Sequence, residues 1–478
     1  MTYSPKVAEI IDKIKFFIGS LSTKESYRVS SSDFSREGKK RSGCLDFSSY
    51  CLLGIALLKN SLSIELYKML HTTDLPVVSK SSFSESRYKI LPIFYQDLTN
   101  LFISLTYEQV AQGEVSNGCS VSLNTWRDYF LEAVDGTCLT LPQTKLLGEY
   151  FGVQRNRSKK GRVTATVMSR VLLRADLLNE YVLQSEVTRI DVGELSVFKN
   201  WLWQLNSKAI TLLDRGFACA VAFYGMNAFE KPFVCRVSLS FNKHVGGTPL
   251  QAFVASASLD SVAEFTINKS ESIANQSVSP LEDDPTGDTS PCFTQIKKGD
   301  KAKVRLVKVL LPTGQIEVLV TNLMDSAAIT VADLGELYKK RWGIETIIDS
   351  LKNQLNLMMF SGLKPSAILQ DIYATIFVYN LRQLLINEAQ LIVNEQVNES
   401  IKAKYEQKIN KNVALGVLKP QIISLFLAKE PKQIIDELIA YFVKNKLSVY
   451  PDKKTFKREK SLAKSRNLKT QLNYKRPI

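Results

Sequence analysis

Residues 337–355 read LYKKRWGIETIIDSLKNQL and carry two parallel patterns. At roughly 100° of rotation per residue, apolar side chains recur on one face of a helix, and polar or charged side chains recur on the face beside it. A Thr330-x-x-Asp333 capping pattern predicts the start of this helix, and Gly343 would cost it only about 1 kcal/mol. The apolar stripe is Leu337, Ile344, Ile348, Leu351 and Leu355, and the polar stripe is Tyr338, Arg341, Glu345, Asp349 and Lys352.

The polar stripe has two interpretations. A surface helix with charges paired at i,i+4 spacing would look similar, because charged helical faces are common and usually solvated. The spacing favours the second interpretation. Tyr338-(2)-Arg341-(3)-Glu345-(6)-Lys352 matches the Y-(2)-R-(3)-E-(6)-K signature of the IS-four family of DDE insertion-sequence transposases, so the chain resembles that family.

Two stretches upstream resemble the family's other acidic motifs. EAVDGT, residues 132–137, contains Asp135 and resembles the first motif; LLDRGF, residues 212–217, contains Asp214 and resembles the second. Each stretch alone is a weak signal, whereas the three together in this order are specific. A looser resemblance extends from about Phe83 to about Arg382. It implies an α/β fold with an RNase H-like mixed sheet flanked by helices.

Composition bounds the class of protein. A chain of 478 residues suggests about two to four domains, and its 45% of hydrophobic residues is ordinary for a globular protein with a large core. We find neither a run of eighteen apolar residues nor a signal-peptide core, so no membrane span or secretion signal is predicted. Seven scattered cysteines without a C-x-x-C pair indicate reduced thiols. We therefore expect a cytoplasmic protein, and the resemblance implies a bacterial, nucleoid-associated one.

Charge and histidine content narrow the chemistry further. Lys and Arg number 62 against 47 Asp and Glu, a net charge of +15 that favours a polyanionic partner, with nucleic acid ahead of a membrane surface. Only two histidines are present, which disfavours a His-rich zinc site and His-based acid–base catalysis. Any metal chemistry in this chain must therefore use carboxylates.

Three of these carboxylates are candidates for a metal site. Phosphodiester cleavage and strand transfer are served by two Mg²⁺ ions about 3.5–4 Å apart, and such hard cations take oxygen ligands. Asp135 and Asp214 each end an apolar run, so we expect them at a sheet edge, with Glu345 presented by the helix. The resemblance assigns these three as the catalytic metal triad, with Mn²⁺ expected to substitute. Alternatively the two aspartates are turn or cap residues, and Asp349 is a rival ligand one turn after Glu345.

Basic and aromatic residues around the acids are candidate DNA contacts. The resemblance assigns DNA-end contacts to Tyr338, Arg341 and Lys352. The positively charged side chains of Arg341 and Lys352 suit phosphate binding. Arg215 could position its loop, contact DNA or form a structural ion pair. Trp342 could stack on bases, although core packing is favoured. The densest basic cluster in the middle of the chain is expected in a hairpin gripping DNA phosphates or in a solvated loop: Arg155, Arg157, Lys159, Lys160 and Arg162.

The chain also divides into predicted regions. In the first region, Pro92 is expected to divide a helix that begins near Phe83 and carries Arg87 on its polar side. This region is predicted to be either a helix-turn-helix DNA-binding element or a helical cap on the next domain. Lys301–Leu306 alternates like a half-buried strand with one basic face. The regions are 1–110 (helical, DNA-binding), 125–229 with 315–390 (RNase H-like catalytic core), 230–314 (inserted β subdomain) and 391–478 (helical, with a basic tail).

Taken together, the residues and the resemblance predict a DDE transposase that cuts an insertion sequence at its inverted-repeat ends and joins them to target DNA. The resemblance also suggests a cut-and-paste route with hairpin ends and a homodimer acting on paired ends. Two alternatives remain open: a non-catalytic DNA-binding protein descended from such an enzyme, and an RNase H-like nuclease without strand transfer.

Overall fold

The structure is a computed structural model. It describes residues 5–29, 45–73, 75–111, 123–157, 163–238, 249–274, 293–311, 314–399 and 405–449. These residues form two compact units: unit 1 lies within 1–122, 139–169 and 349–478, and unit 2 lies within 123–138 and 170–348. None of the helices in the described ranges has the length and hydropathy needed to cross a bilayer.

Helices and strands alternate through the middle of the chain, and helices predominate at both ends. The helices are α1 (Pro5–Gly19), α2 (Leu21–Tyr27), α3 (Phe47–Ile55), α4 (Leu62–His71), α5 (Lys80–Arg87), α6 (Ile93–Ala111), α7 (Lys145–Phe151), α8 (Glu194–Trp201), α9 (Ala220–Ala228), α10 (Pro249–Ala255), α11 (Val331–Lys340), α12 (Gly343–Asp349), α13 (Pro365–Glu399), α14 (Lys411–Leu427) and α15 (Lys432–Lys444). The strands are β1 (Phe130–Thr140), β2 (Val153–Arg157), β3 (Val163–Asp176), β4 (Tyr181–Arg189), β5 (Ala209–Leu213), β6 (Phe233–Val237), β7 (Asp260–Thr266), β8 (Glu271–Ala274), β9 (Phe293–Ile296), β10 (Lys301–Leu310), β11 (Ile316–Thr321), β12 (Glu406–Ile409) and β13 (Lys446–Val449).

The central sheet of unit 2 is mixed. Seven of its strands follow the order β3-β1-β5-β6-β11-β10-β7, and β4 also pairs with β3. β1 and β5 pair in parallel, β5 and β6 also pair in parallel, and β11 pairs with β6 antiparallel. All five residues of β5 are buried, which agrees with the near-continuous apolar run that marks a central strand. This is the strand arrangement of an RNase H-like fold, so the predicted fold class is confirmed.

The strands between residues 260 and 321 extend this sheet. β10 pairs antiparallel with both β11 and β7, while β8 and β9 form a separate two-stranded sheet. Lys301 and Lys303 are exposed, as the alternating pattern predicted. Arg305 is not part of a basic face, because only 1% of it is exposed and its Nη2 lies 2.6 Å from Oδ2 of Asp260. A buried guanidinium requires such partners, since an unpaired charge is costly in the interior.

The helix that carries residues 337–355 begins at the predicted cap but is divided. The expected capping box is present at Thr330 and Asp333, and it opens α11. Between α11 and α12 the backbone forms i→i+3 bonds, from Ile344 N to Arg341 O at 3.1 Å and from Glu345 N to Trp342 O at 3.2 Å. After α12 the chain widens into a π-helical segment, Ser350–Gln354. The prediction of one continuous helical face, with a constant rotation of 100° per residue, is therefore wrong for this stretch.

In unit 1, α13 is the central buried helix. It covers the predicted helix of about 366–390 and packs against α3, α6, α14 and α15. Pro92 lies between α5 and α6, which confirms that it divides the predicted helix. The prediction that Arg87 lies on a polar face is wrong. Arg87 is 3% exposed, and its Nη2 lies 3.0 Å from Oδ1 of Asp371, a residue of α13.

The buried arginine of β10 supports a first prediction. Arg305 also donates from Nη1 to the carbonyls of Leu323 and Ile329, at 3.0 and 2.8 Å. Arg305→Ala should lower the free energy of unfolding by about 3 kcal/mol, because it leaves Asp260 and two carbonyls without their partner. Urea denaturation at pH 7.5 measures this. Lys303→Ala, two residues earlier on the same strand and exposed, should change it by less than about 0.5 kcal/mol; equal losses in the two variants would contradict the prediction.

Candidate active site

Two of the predicted acids lie where the parallel pairing of two neighbouring strands ends. The register of β1 and β5 ends at the pair Val134 and Leu213, so Asp135 and Asp214 are the next residues along the chain. β5 ends at Leu213 as expected, but β1 does not end at Asp135, since it continues to Thr140. The parallel pairing therefore places the two acids side by side, just past its last residue pair.

Each aspartate also orders its own backbone. The Gly136 N–H donates to Oδ1 of Asp135 at 2.8 Å, and the Gly216 N–H donates to Oδ1 of Asp214 at 2.7 Å. The second contact is a local turn of the kind that aspartate favours. The alternative of a turn residue is thus realised at Asp214, and it is compatible with a site because each carboxylate has a second oxygen.

Arg341 links the third acid to the first. Its Nη2 donates to Oε1 of Glu345 at 2.8 Å, and its Nη1 lies 3.9 Å from Oδ2 of Asp135. The guanidinium carbon is 6.0 Å from the ring centre of Tyr338, which is 8% exposed. The structure therefore brings the predicted residues Asp135, Tyr338, Arg341 and Glu345 together within unit 2, with Arg341 between two carboxylates.

Burial and negative charge perturb this site. Burial raises the pKa of Asp135 to about 6; the charges of Asp214 and Glu194 raise this pKa as well, against the Gly136 amide and Arg341. Burial also raises the pKa of Tyr338. Burial is the largest single influence on the pKa of Arg341 and acts to lower it, but the hydrogen bond to Glu345 and the charges of Tyr338, Glu345 and Asp135 together raise that pKa. Such a concentration of perturbed groups is typical of functional sites.

The carboxylate oxygens of the three acids suit a hard divalent cation, but the three side chains are not gathered around one point. Within the described ranges, no three Asp, Glu, His or Cys side chains are gathered closely enough to hold a metal ion. Glu345 is bonded to Arg341 instead. The two aspartates nevertheless offer carboxylate oxygens on adjacent strand ends, and the charge of Asp214 acts on Asp135. A cation between such groups would relieve their repulsion, so the chemistry of the residues fits.

Two further residues flank the acids. Arg215 follows Asp214 and is exposed. Trp342 is 63% exposed, and its ring centre is 5.9 Å from the guanidinium carbon of Arg341. The prediction that Trp342 packs in the core is therefore wrong. The break between α11 and α12 lies at Arg341 and Trp342, so a pattern that assumes one continuous helix does not place this side chain correctly.

The remaining predicted residues belong to unit 1. Lys352 is half-buried in the π-helical segment. Asp349, the rival ligand, is exposed and accepts a 2.5 Å hydrogen bond from Nδ2 of Asn353. Arg155 is exposed on β2, which pairs antiparallel with β3, so the predicted hairpin is confirmed. Arg157 ends β2, whereas Lys159, Lys160 and Arg162 lie outside the described residues.

The comparisons with known proteins agree with this geometry. A family model described as a transposase DDE domain matches residues 131–381. The chain belongs to this DDE transposase family. The match includes Asp135, Asp214 and Glu345, and with it the strand ends and helices described above. The family supports transposase function and DNA cleavage, whereas the narrower IS-four assignment stays a prediction.

Comparison with solved structures adds a distant similarity. The chain is 12% identical to a chain in a cryo-EM structure of a piggyBac transposase synaptic complex with hairpin DNA, at a TM-score of 0.43. The alignment covers 95% of this chain and 88% of that chain. Comparison with curated proteins gives no match.

The pKa of Asp135 gives a pH-dependent prediction. Because the folded-state pKa of about 6 lies above the ordinary aspartate value of 3.8, the folded transposase holds this proton more tightly and loses stability as pH rises from about 4 through 6. Asp135→Asn removes the charge and keeps an oxygen for the Gly136 amide. In EDTA at pH 7.5 it should raise the free energy of unfolding by about 1–3 kcal/mol.

Urea denaturation across pH 4–8 measures this difference. The advantage of Asp135→Asn should fade as pH falls towards 4, because the wild-type carboxyl is then protonated in the folded state and no longer carries a buried charge. A difference that does not vary with pH, or a variant less stable than wild type at pH 7.5, would contradict the prediction.

Proposed function

We propose that the protein is a DNA transposase that cleaves the ends of an insertion sequence and transfers them to target DNA by two-metal phosphodiester chemistry, in a cut-and-paste route. The observation that carries this is the placement of Asp135 and Asp214 side by side where the parallel pairing of β1 and β5 ends, with Arg341 joining Glu345 to Asp135. Membership of the DDE transposase family supports it.

Asp135, Asp214 and Glu345 are the residues that would hold two Mg²⁺ ions, for which Mn²⁺ would substitute. When bound, the ions supply activation of the attacking water or 3′-hydroxyl and relief of charge at the scissile phosphate. The chain's own contribution is a rigid pair of strand ends that holds two carboxylates, one of them buried enough for its pKa to reach about 6.

In this proposal Arg341 pairs with Glu345 and would also bind a DNA phosphate. It is a fork-shaped donor suited to phosphate, and here it is bonded to Glu345. A DNA phosphate that engages Arg341 would compete with Glu345 for the guanidinium. Glu345 would then be released towards the two aspartates. The third acid would therefore join the two aspartates when DNA is bound.

DNA is the partner that the charge and the exposed groups favour. The net charge is +15, and Trp342 and Arg215 are exposed beside the acids. We assign DNA-end contacts to Tyr338, Arg341 and Lys352, and stacking on a base or sugar to Trp342. The basic hairpin residues Arg155, Arg157, Lys159, Lys160 and Arg162 would add phosphate contacts, as would Arg215.

Larger-scale features of the proposal follow from the chemistry. Two element ends must be cut together, so the active form would be a homodimer on paired ends, acting on nucleoid DNA. The proposed division is a DNA-binding region at 1–110, a catalytic core at 125–229 and 315–390, an inserted β region at 230–314, and a C-terminal region at 391–478. A catalytically inactive DNA-binding protein is the second candidate, favoured by the separation of Glu345 from the two aspartates.

The triad is tested by substitution of each acid. Asp135→Asn, Asp214→Asn and Glu345→Gln should each abolish cleavage, because each removes a charged ligand of the cations. The substrate is linear DNA with the inverted repeats that flank the reading frame, incubated with Mg²⁺ and a supercoiled target. Gel analysis reports cleavage and joining, and mobility shift reports DNA binding, which should stay within about threefold of wild type.

Asp349→Asn is the matched control, since it removes an exposed acid one turn after Glu345. It should cleave like wild type. Normal cleavage by any triad variant would show that residue to be wrongly assigned. Cleavage without joined product would indicate a nuclease, and binding without cleavage by wild type would indicate the non-catalytic protein.

Arg341 gives a separate prediction. Arg341→Ala should weaken binding of the element end roughly 10-fold or more, because a charge-assisted phosphate contact is lost. It should also strengthen Mn²⁺ binding to the DNA-free protein, since Glu345 is no longer held. Fluorescence anisotropy measures the first effect and calorimetry the second. Lys340→Ala, an exposed neighbour of equal charge, should leave Mn²⁺ affinity unchanged; weaker Mn²⁺ binding by Arg341→Ala would contradict the competition.

A further inference from the structure

A fourth acidic side chain lies against the site. Glu194 is the first residue of α8, and its carboxylate covers the backbone of Gly136, next to Asp135. A Cβ on Gly136 would lie 2.3 Å from Cδ and 2.4 Å from Oε1 of Glu194. Real Cβ atoms do not approach so closely, so the carboxylate occupies space that exists only because residue 136 is glycine. This glycine is needed for room, not for an unusual backbone angle.

The carboxylate is also held in place. Arg170, on β3, has its Nε 3.4 Å from Oε1 of Glu194, and its Nη1 donates to the carbonyl of Val192. The Arg170 side chain is 20% exposed and that of Glu194 is 35% exposed. The ion pair therefore orients Glu194 at the edge of the site, where water can still reach it.

We propose that Glu194 is a positioning residue of the active site, fixed by Arg170 and admitted by Gly136, whose carboxylate accepts hydrogen bonds from water ligands of a cation held by Asp135 and Asp214. This inference rests on the proposed function. The carboxylate of Glu194 lies against the backbone of Gly136, the residue that follows Asp135. Groups that bond to the ligands of a metal ion typically change its affinity 10–100-fold when removed.

A purely structural role makes a different prediction. If the Arg170–Glu194 pair only fastens α8 to the sheet, its loss would lower stability and leave cation affinity unchanged. Glu194→Gln separates the two roles, since glutamine has the same size and keeps an amide oxygen facing Arg170. The proposal requires weaker cation binding in this variant.

The experiment is titration of the EDTA-treated full-length protein with Mn²⁺ alone, by calorimetry, at pH 7.5. Glu194→Gln should bind Mn²⁺ roughly 10-fold more weakly than wild type. The matched control is Glu271→Gln. Glu271 is ion-paired with Lys199 of α8, and its side chain is 33% exposed. The Glu271→Gln variant therefore loses an equivalent charge away from the acids. It should bind Mn²⁺ like wild type.

Gly136→Ala is a second, independent variant. Its added methyl group would displace the flexible end of Glu194 and should weaken Mn²⁺ binding by a similar factor. In the double variant with Glu194→Gln the two losses should not add, because both act on the same carboxylate. Iron-catalysed backbone cleavage with Fe²⁺, ascorbate and peroxide should mark residues near 135, 194 and 214 in wild type and lose the mark near 194 in Gly136→Ala.

The outcomes distinguish this inference from the proposed function. Wild-type Mn²⁺ affinity in Glu194→Gln, with binding lost in Asp135→Asn, would overturn the role of Glu194 and leave the metal site standing. An equal loss in Glu271→Gln would also overturn it, because general charge would then explain the effect. A wild-type protein that binds no Mn²⁺, with or without element DNA, and cleaves no DNA would overturn the proposed function and the inference together.

Discussion

The parallel pairing of β1 with β5 places Asp135 and Asp214 side by side, just past its last residue pair. Burial disfavours the charged form of Asp135, and the neighbouring charge of Asp214 repels it, which is why the pKa of Asp135 rises to about 6. The arrangement reduces stability unless positive charge is supplied. The nearby side chains are best understood as responses to that constraint.

Arg341 supplies part of the positive charge in the DNA-free protein. Its guanidinium lies between Glu345 and Asp135, at 2.8 and 3.9 Å. An arginine can give this charge to carboxylates or to a DNA phosphate, but its donors are limited in number and direction. The same contact that stabilises the resting site is therefore one that substrate would compete for. Stability and function are coupled here through a single side chain.

Elsewhere buried charges are matched within each unit. Arg305 with Asp260 supports the edge of the central sheet, and Arg87 with Asp371 joins α5 to α13. These pairs satisfy the requirement that a buried cation have hydrogen-bonding partners. At the acids, by contrast, carboxylates outnumber the cation between them. A local excess of negative charge that the protein does not neutralise itself is what a cation-dependent site requires.

The sequence alone determined the start of α11 at its capping box, the buried strand β5 and the division at Pro92, because these depend on local periodicity, capping and backbone chemistry. Its resemblance to a transposase family implied the RNase H-like fold class. It also identified Asp135, Asp214 and Glu345 as candidates. Tertiary structure alone decided the burial of Arg87 and Arg305, the exposure of Trp342, the continuation of β1 past Asp135 and the position of Glu194 over Gly136. Each of these depends on which distant residue supplies a partner or space, and neither spacing nor composition contains that information.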